Sequence, residues 1–266
     1  MIIIDETREL INVMLKEIMY VLTSLNQLHL NIYFVLAIAL LFLFLHGQRN
    51  TPILRNLSIM MGFLPVLIHE VGHAVTASMT GGRVENIYMV LTEKKQRKIG
   101  AQGYASYYPG GRLSNIITVF MGYVAPPSIM LLGVTLITND LSIIFIIILF
   151  AMTLYYFWHT SQKWIPFTLA VILVFSGSSA FFELATWTPV LIGLIHSIVL
   201  GLLLGETIQS VIIITKVLFL ENNTKWDGHS LKQLTKIPAS FWYLIWVTIS
   251  VLAIYYSVTQ LISWYL

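Results

Sequence analysis

The stretch LSIMMGFLPVLIHEVGHAVTASM, from Leu57 to Met79, decides the fold. At a rise of about 1.5 Å per residue, a helix of this length crosses a hydrocarbon core of about 30 Å. The stretch is apolar around one polar group, formed by His69, Glu70 and His73, and Glu70 is its only ionised residue. This pattern predicts a membrane-spanning helix with a polar group in its interior.

The composition of the whole chain agrees with a membrane protein. Of its residues, 57% are hydrophobic and 10% are charged, whereas about a quarter are charged in ordinary soluble domains. A soluble protein is therefore excluded, and we expect an all-α integral membrane protein with about seven transmembrane helices. The seven apolar stretches are Leu30 to Leu45, Leu57 to Met79, Asn115 to Thr138, Leu141 to Trp158, Trp164 to Phe182, Thr188 to Leu220 and Ile237 to Trp264.

Two segments differ from these spans. Residues 1–28 mix apolar and charged positions at nearly helical spacing, which predicts an amphipathic helix on the membrane surface. Residues 29–266 form the polytopic membrane domain, and residues 80–114 are a hairpin insertion within it. The insertion has two strand-like stretches, Arg83 to Leu91 and Ala101 to Tyr108, around a basic turn from Glu93 to Lys98. We expect a small β-hairpin at the membrane face.

The distribution of Lys and Arg predicts an orientation in the cell membrane. With the N-terminus in the cytoplasm, the cations from Arg83 to Arg112 are cytoplasmic, and only Arg49 and Arg55 lie outside. The net charge of +3 therefore reflects loops beside lipid rather than nucleic-acid binding. The chain has no cysteine, so any bound metal must use histidine and carboxylate ligands.

The pattern H-E-x-x-H occupies residues 69–73 and predicts a zinc site. On a helix, positions four apart lie on one face, so His69 and His73 can bind one Zn²⁺. Glu70 can then act as the general base that takes a proton from the attacking water. An ionisable group at the centre of a membrane helix costs about 2.5 to 3.5 kcal/mol, and a metal supplies the compensating partner. The alternative, in which both histidines only hydrogen-bond neighbouring helices, is disfavoured because the pattern rarely arises by chance.

A third zinc ligand must come from elsewhere, because catalytic zinc sites use three protein ligands and leave the fourth position to water. Asp227 is favoured, since it follows the sixth span on the side of the membrane reached by the two histidines. Glu206 is the alternative, because an acid within a membrane helix is costly and usually functional. The remaining candidates are His229, His196, Glu183 and Asp140.

These motifs resemble the site-2 protease family of intramembrane zinc metalloproteases, and most closely its compact, sporulation-factor-protease-like bacterial branch. Three blocks carry the resemblance: HEVGHA at residues 69–74 followed by TGGRV at 80–84, GGRLSN at 110–115, and WDGH at 226–229. The second block departs from the family's G-P-x-x-N pattern, because Arg112 replaces the proline. The third lacks the Asn and Pro that usually precede the D-G pair.

The resemblance implies regulated hydrolysis of peptide bonds in transmembrane protein substrates. It assigns Asp227 as the third ligand and Asn115 as a polar group that orients substrate or stabilises the oxyanion, although Asn115 also suits a helix start. A helical substrate must unwind before cleavage, so we expect a strand edge of the hairpin to hold the extended form.

Two other functions remain open. A zinc-binding membrane scaffold without protease activity is disfavoured by the intact Glu70. An ion- or proton-coupled transporter using Glu206, His196 and Glu70 is weakened by the absence of an internal repeat. The oligomeric state is not predicted.

Overall fold

A computed structural model describes residues 9, 30–49, 51–181, 188–220 and 226–265. Apart from Glu9, the predicted surface helix over residues 1–28 lies outside the described residues. In the described part, the bounds of the helices and strands are α1 Ile32–Gly47, α2 Pro52–Met79, β1 Arg83–Met89, α3 Glu93–Ile99, β2 Gly103–Tyr108, α4 Arg112–Thr138, α5 Ser142–His159, α6 Trp164–Phe181, α7 Thr188–Leu220, α8 Asp227–Thr235 and α9 Ala239–Tyr265.

Helices long and apolar enough to cross a membrane dominate this fold, as predicted. Among the described residues there are five, namely Pro52–Met79, Arg112–Thr138, Ser142–His159, Ile192–Leu220 and Ala239–Trp264. The predicted count of seven is not confirmed, because the apolar segments Ile32–Gly47 and Trp164–Phe175 are shorter. At 16 residues, α1 extends about 24 Å, less than the hydrocarbon thickness.

Helix α4 lies at the centre of the bundle and packs against α2, α7 and α9. Its contact with α2 is close: a Cβ on Gly72 would lie 2.6 Å from the Cβ of Ala125. Small residues at such a contact allow two helix backbones to approach each other. An aromatic and aliphatic cluster packs α8 against α4, α7 and α9; it includes Val119, Ile214, Leu231 and Trp246.

The hairpin follows α2 through a turn that depends on glycine. Gly81 has a φ of +81°, and a Cβ on Gly82 would lie 2.6 Å from the carbonyl oxygen of Tyr108. The strands pair antiparallel, with Arg83 opposite Tyr108 and Met89 opposite Gly103. Both strands lie where predicted but are shorter. The segment predicted as a basic turn instead forms the helix α3, because Glu93 in its first turn and Arg97 and Lys98 in its last suit the helix dipole.

The hairpin runs back along α2 toward the start of that helix. A Cβ on Gly103 would meet Val66 at 3.1 Å, and Glu93 forms an ion pair with Arg55. Ile87 and Met89 are fully buried, because the hairpin covers the apolar side of α2.

This arrangement corrects the predicted distribution of charge across the membrane. The sequence had placed Arg49 and Arg55 on one side and Lys94 to Lys98 on the other. The ion pair between Arg55 and Glu93 puts α3 beside Arg55, so that separation is wrong. Counting charges along the sequence assigns each cation to a side of the membrane from the nearest span. Such a count contains no information about a hairpin that folds back along a membrane-spanning helix.

Candidate metal centre

Three side chains converge at the predicted metal site. His69 and His73 lie one turn apart on α2, and Asp227 is the first residue of α8. The distance between the two Nε2 atoms is 3.1 Å, and each lies 3.4 Å from Asp227 Oδ2. The structure therefore brings together the three residues that the sequence proposed as ligands, and each of them offers one atom to a shared metal ion.

The triangle of ligand atoms fits tetrahedral zinc. Zn–N bonds of about 2.0 to 2.1 Å at tetrahedral angles place two ligand atoms about 3.3 to 3.4 Å apart. The observed edges of 3.1, 3.4 and 3.4 Å match that spacing. Asp227 Oδ2 is buried and has no hydrogen-bond partner, which a cation at this position would correct. Two imidazoles and a carboxylate are a donor set that zinc commonly uses.

The tautomer of His73 also suits a metal ligand. Its Nδ1 lies 2.8 Å from the backbone carbonyl oxygen of Thr118. A carbonyl only accepts hydrogen bonds, so Nδ1 carries the proton and Nε2 presents its lone pair toward the site. Such a hydrogen bond from the second ring nitrogen typically orients a metal-binding histidine.

Asp227 is held in a charged form by its surroundings. Burial raises the pKa of its carboxyl group, but His73 and His69 in their protonated forms outweigh burial and hold that pKa well below its usual range; a cation shared with the neutral imidazoles acts in the same direction. Trp226 folds over Gly228, two residues further along the chain, since a Cβ on Gly228 would lie 2.3 Å from the indole ring. The D-G pair thus has a local steric explanation, because only glycine leaves room for Trp226 beside the ligand.

Glu70 is buried at 8% exposure, next to His69 in the chain. The backbone N–H of Ala105 on β2 faces its carboxylate, and a Cβ on Gly103 would lie 3.2 Å from Glu70 Cγ. The predicted general base therefore lies between the metal site and the outer edge of β2.

Sequence reasoning missed Gly122, the residue of α4 that makes room for both imidazoles. A Cβ there would lie 2.3 Å from His73 Nε2 and 2.8 Å from His69 Cε1. Within a single apolar span, nothing distinguishes this glycine from one that only packs against lipid or another helix. Its role follows from the position of α4 against α2.

Asn115 lies in the first turn of α4, and its Oδ1 accepts a hydrogen bond of 3.1 Å from the hydroxyl of Tyr107. Burial raises the pKa of Tyr107 to about 12, and the charges of Asp227 and Glu70 add to the increase. Tyr107 therefore stays a neutral donor at physiological pH and fixes the orientation of the Asn115 amide. The sequence did not single out Tyr107.

The other candidate ligands are engaged elsewhere. Glu206 accepts a hydrogen bond of 2.7 Å from Ser210, and His229 is exposed and pairs with Gln233. His196 Nδ1 donates to the carbonyl oxygen of Ile192. Asp140 lies in the turn after α4, and Glu183 lies outside the described residues.

A cavity of about 350 Å³ opens beside the candidate metal centre. His69 and Glu70 line one end of it, and the ring of Tyr123 packs edge-on against His69 at 4.9 Å. The remaining wall combines apolar residues such as Val66, Ile213 and Val217 with polar ones, which are His46, Arg49, Gln96, Gln102, Glu206, Gln209 and Ser210. Space and polar groups are therefore available next to the candidate metal centre.

Comparison with known families gives one match. The model of the family described as Peptidase M50B-like matches residues 19–257. No curated protein and no solved structure matches the chain.

Proposed function

The chain belongs to the Peptidase M50B-like family, as the resemblance to site-2 proteases predicted, and we propose on this basis that it is an intramembrane zinc metalloprotease. Its substrates are peptide bonds of membrane-embedded proteins, cleaved in regulated intramembrane proteolysis. One observation carries the proposal: the ligand atoms of His69, His73 and Asp227 form a triangle of the size required by zinc beside the buried Glu70.

The residues of the chain divide the chemistry among them. His69, His73 and Asp227 would hold a zinc ion, which would supply Lewis-acid activation of water and of the scissile carbonyl. The Glu70 carboxylate accepts a proton from the attacking water and delivers it to the leaving nitrogen. The amide N–H groups of Asn115, oriented by Tyr107, are available to the oxygen of the scissile carbonyl.

The register of the hairpin identifies the strand edge that faces the catalytic residue. Val90 N–H donates to Gln102 O, and with antiparallel alternation Gly103 and Ala105 direct their N–H and C=O groups away from β1. On the other side, the side chain of Gln162 caps the outer edge of β1 by hydrogen bonds to Met89 N–H and O.

The edge of β2 next to Glu70 is therefore the one on which we propose that an unwound substrate adds as a strand. Ala105→Pro removes the outward donor that faces Glu70 in the substrate-free protein, and it is expected to impair cleavage while leaving the pairing with β1 intact. Ser106→Pro, which removes an inward donor, disrupts the hairpin itself and serves as the comparison. Unchanged cleavage by Ala105→Pro rejects this substrate-binding edge.

Metal analysis of purified protein tests the site. We expect about one zinc per chain in wild type and Glu70→Gln, and loss of zinc in His69→Ala and Asp227→Ala. His229→Ala is the matched control, because it removes an imidazole two residues from Asp227 without touching the triangle. Zinc retained in Asp227→Ala, or lost equally in His229→Ala, contradicts the assignment.

Membrane proteomes test the activity. Cells that carry Glu70→Gln should accumulate at least one uncut transmembrane protein whose fragments are present with wild type. If both proteomes contain the same fragments, the protein does not act as a protease under those conditions, and the scaffold function gains support. Zinc-independent flux in reconstituted vesicles is the result that favours a transporter.

The location in the cell membrane, with Asp227 toward the cytoplasm, stays a prediction, and the cations of α3 no longer count toward it because they lie beside Arg55. The chain has no cysteine, so single introduced cysteines report the sidedness of each loop without background labelling.

A further inference from the structure

The short helix α3 contributes to the wall of the cavity beside the metal centre. Gln96 of α3 and the following residues Gly100 to Gly103 line this cavity, together with His69 and Glu70. Gln96 is half-buried, although most of α3 is exposed. The shape of the cavity therefore depends on where α3 lies.

The outer face of α3 is strongly basic. Lys94, Lys95, Arg97 and Lys98 are all exposed. The acidic group of this helix, Glu93, is already paired with Arg55 and Arg97. In the described part of the chain, no carboxylate lies within ion-pair distance of the three lysines, and Lys95 reaches only the hydroxyl of Tyr88, at 3.3 Å.

The position of α3 along α2 brings this basic face to the membrane surface. Glu93 contacts Arg55 and Asn56, close to the first residue of α2. With 28 residues, α2 extends about 42 Å and exceeds the hydrocarbon core of about 30 Å, so its ends reach the headgroup layer. Cations at that level are attracted by anionic lipid headgroups.

Non-helical residues separate α3 from the two strands on either side of it. Thr92 before it is extended, and Gly100 after it has a φ of +80°, a conformation that glycine adopts without strain. The ion pair with Arg55 and the hydrogen bond from Glu93 N–H to Asn56 are the side-chain attachments of α3 to α2 that the structure gives. Both are at the partly exposed N-terminal end of α3, where water competes for them.

We propose that α3 is a lid on the cavity, and that anionic lipid headgroups bind its outer basic face and hold the lid in place. Gln96 points inward while the lysines point outward, so an anionic surface stabilises the closed arrangement. The occupant of the basic face is a lipid surface rather than a soluble anion, because the four cations are spread along one exposed side of a helix. The catalytic role of the covered cavity rests on the proposed function, whereas the contact between α3 and lipid does not depend on it.

The test measures how fast a cysteine under the lid reacts. Gln96→Cys is placed in the full-length cysteine-free chain, reconstituted in nanodiscs of phosphatidylcholine alone or with phosphatidylglycerol, and labelled with neutral N-ethylmaleimide. We expect phosphatidylglycerol to slow labelling about fivefold or more, since each basic residue near an anionic surface contributes to binding. Gln233→Cys, on the exposed side of α8 beside Lys232, reports the general effect of surface potential on thiol reactivity.

Charge variants separate the lid from other effects. Lys94→Gln/Lys95→Gln/Lys98→Gln keeps the pair of Arg97 with Glu93 and should abolish the extra slowing at Gln96→Cys. Lys216→Gln/Lys232→Gln, which removes exposed cations outside α3, should preserve it. Raising the salt concentration to about 1 M shortens the screening length to about 3 Å and should remove the slowing without any substitution, which keeps the test valid if the triple variant folds poorly.

Several outcomes overturn the proposal. Equal slowing at Gln96→Cys and Gln233→Cys shows that lipid does not act on the lid, as does a triple variant that retains full lipid dependence. Protection by inorganic phosphate or by an acidic peptide in neutral nanodiscs shows a soluble anion or a protein as the occupant. Zinc content is measured in the same samples: its absence counts against the proposed function, whereas the labelling result alone decides the lid.

Discussion

Replacing Gly122 by alanine should damage the metal centre through a single methyl group. The added Cβ would lie 2.3 Å from His73 Nε2, 2.4 Å from His73 Cε1 and 2.8 Å from His69 Cε1. Ordinary carbon contacts are about 3.5 to 4.0 Å, so the rings or the helix must move by about 1 Å. Functional groups at a site must be held within about 0.5 Å of their working geometry, and this displacement exceeds that tolerance.

The magnitude follows from the cost of overpacking. Inserting a methylene into a tightly packed site costs about 1 to 3 kcal/mol. If the full strain is present in the zinc-bound geometry, the affinity for zinc falls about 5- to 150-fold, because each 1.4 kcal/mol corresponds to a factor of ten. Competition with a chromophoric chelator measures this change in purified protein.

Gly133→Ala is the matched control on the same helix. Its Cβ would lie 2.6 to 3.0 Å from the ring of Phe145, so it imposes a similar steric strain away from the metal centre. We expect Gly133→Ala to lower thermal stability but to bind zinc as wild type does. Wild-type affinity in Gly122→Ala, or an equal loss in both variants, would refute the steric reasoning.

Three further predictions concern other parts of the molecule. Tyr107→Phe should slow cleavage about 2- to 10-fold, which corresponds to the loss of one hydrogen bond, with unchanged zinc content. Since the pKa of Tyr107 is about 12, the tyrosine is still protonated at pH 10, and the ratio of the variant's cleavage rate to that of wild type should be equal at pH 7 and pH 10. Tyr108→Phe, at an exposed position, is the control and should have no effect. Removing zinc with a chelator should lower the melting temperature, because a ligand at 100 times its Kd stabilises the folded state by about 2.7 kcal/mol. A Glu70→Gln sample should show the same shift, and the absence of a shift in both samples would contradict a zinc ion bound at this site. Lys94→Cys and Lys232→Cys should react with an impermeant thiol reagent from opposite sides of the membrane. The reason is that α3 lies at the start of α2, whereas α8 is held near the end of α2 by the hydrogen bond from Arg112 to Leu234. Labelling of both cysteines from one side would show that α2 does not separate them.

The class of the fold was predictable because lipid imposes a strong constraint. Every backbone group in the hydrocarbon must be paired within its own segment, so long apolar stretches become helices. The helices α2, α4 and α9 lie where hydropathy put them, within a few residues. Span number was less predictable, since α1 and the apolar part of α6 are near the minimum length and their crossing depends on packing and tilt.

The hairpin shows where local patterns become insufficient. Alternating residues predicted its two strands, and both are present in shortened form. The direction of the hairpin depends on tertiary contacts, chiefly the burial of Ile87 and Met89 against α2. A count of cations along the chain contains no information on that packing, so it separated Arg55 from Lys94 although they belong to one region.

The candidate metal centre was predictable to the extent that its ligands are neighbours in sequence. The spacing of His69 and His73 on a helix already implies a shared face, whereas the third ligand requires knowledge of which loop returns to that face. Chemistry alone left Glu206 and Asp227 as comparable carboxylates, and each lies close enough to His69 for an electrostatic interaction between its carboxylate and the imidazole. The structure distinguishes them by their partners. Glu206 is satisfied by Ser210 on its own helix, but Asp227 Oδ2 is buried at 3.4 Å from both imidazoles without a donor. A buried acceptor without a donor is costly, and a cation shared with two imidazole lone pairs removes that cost at all three ligand atoms together.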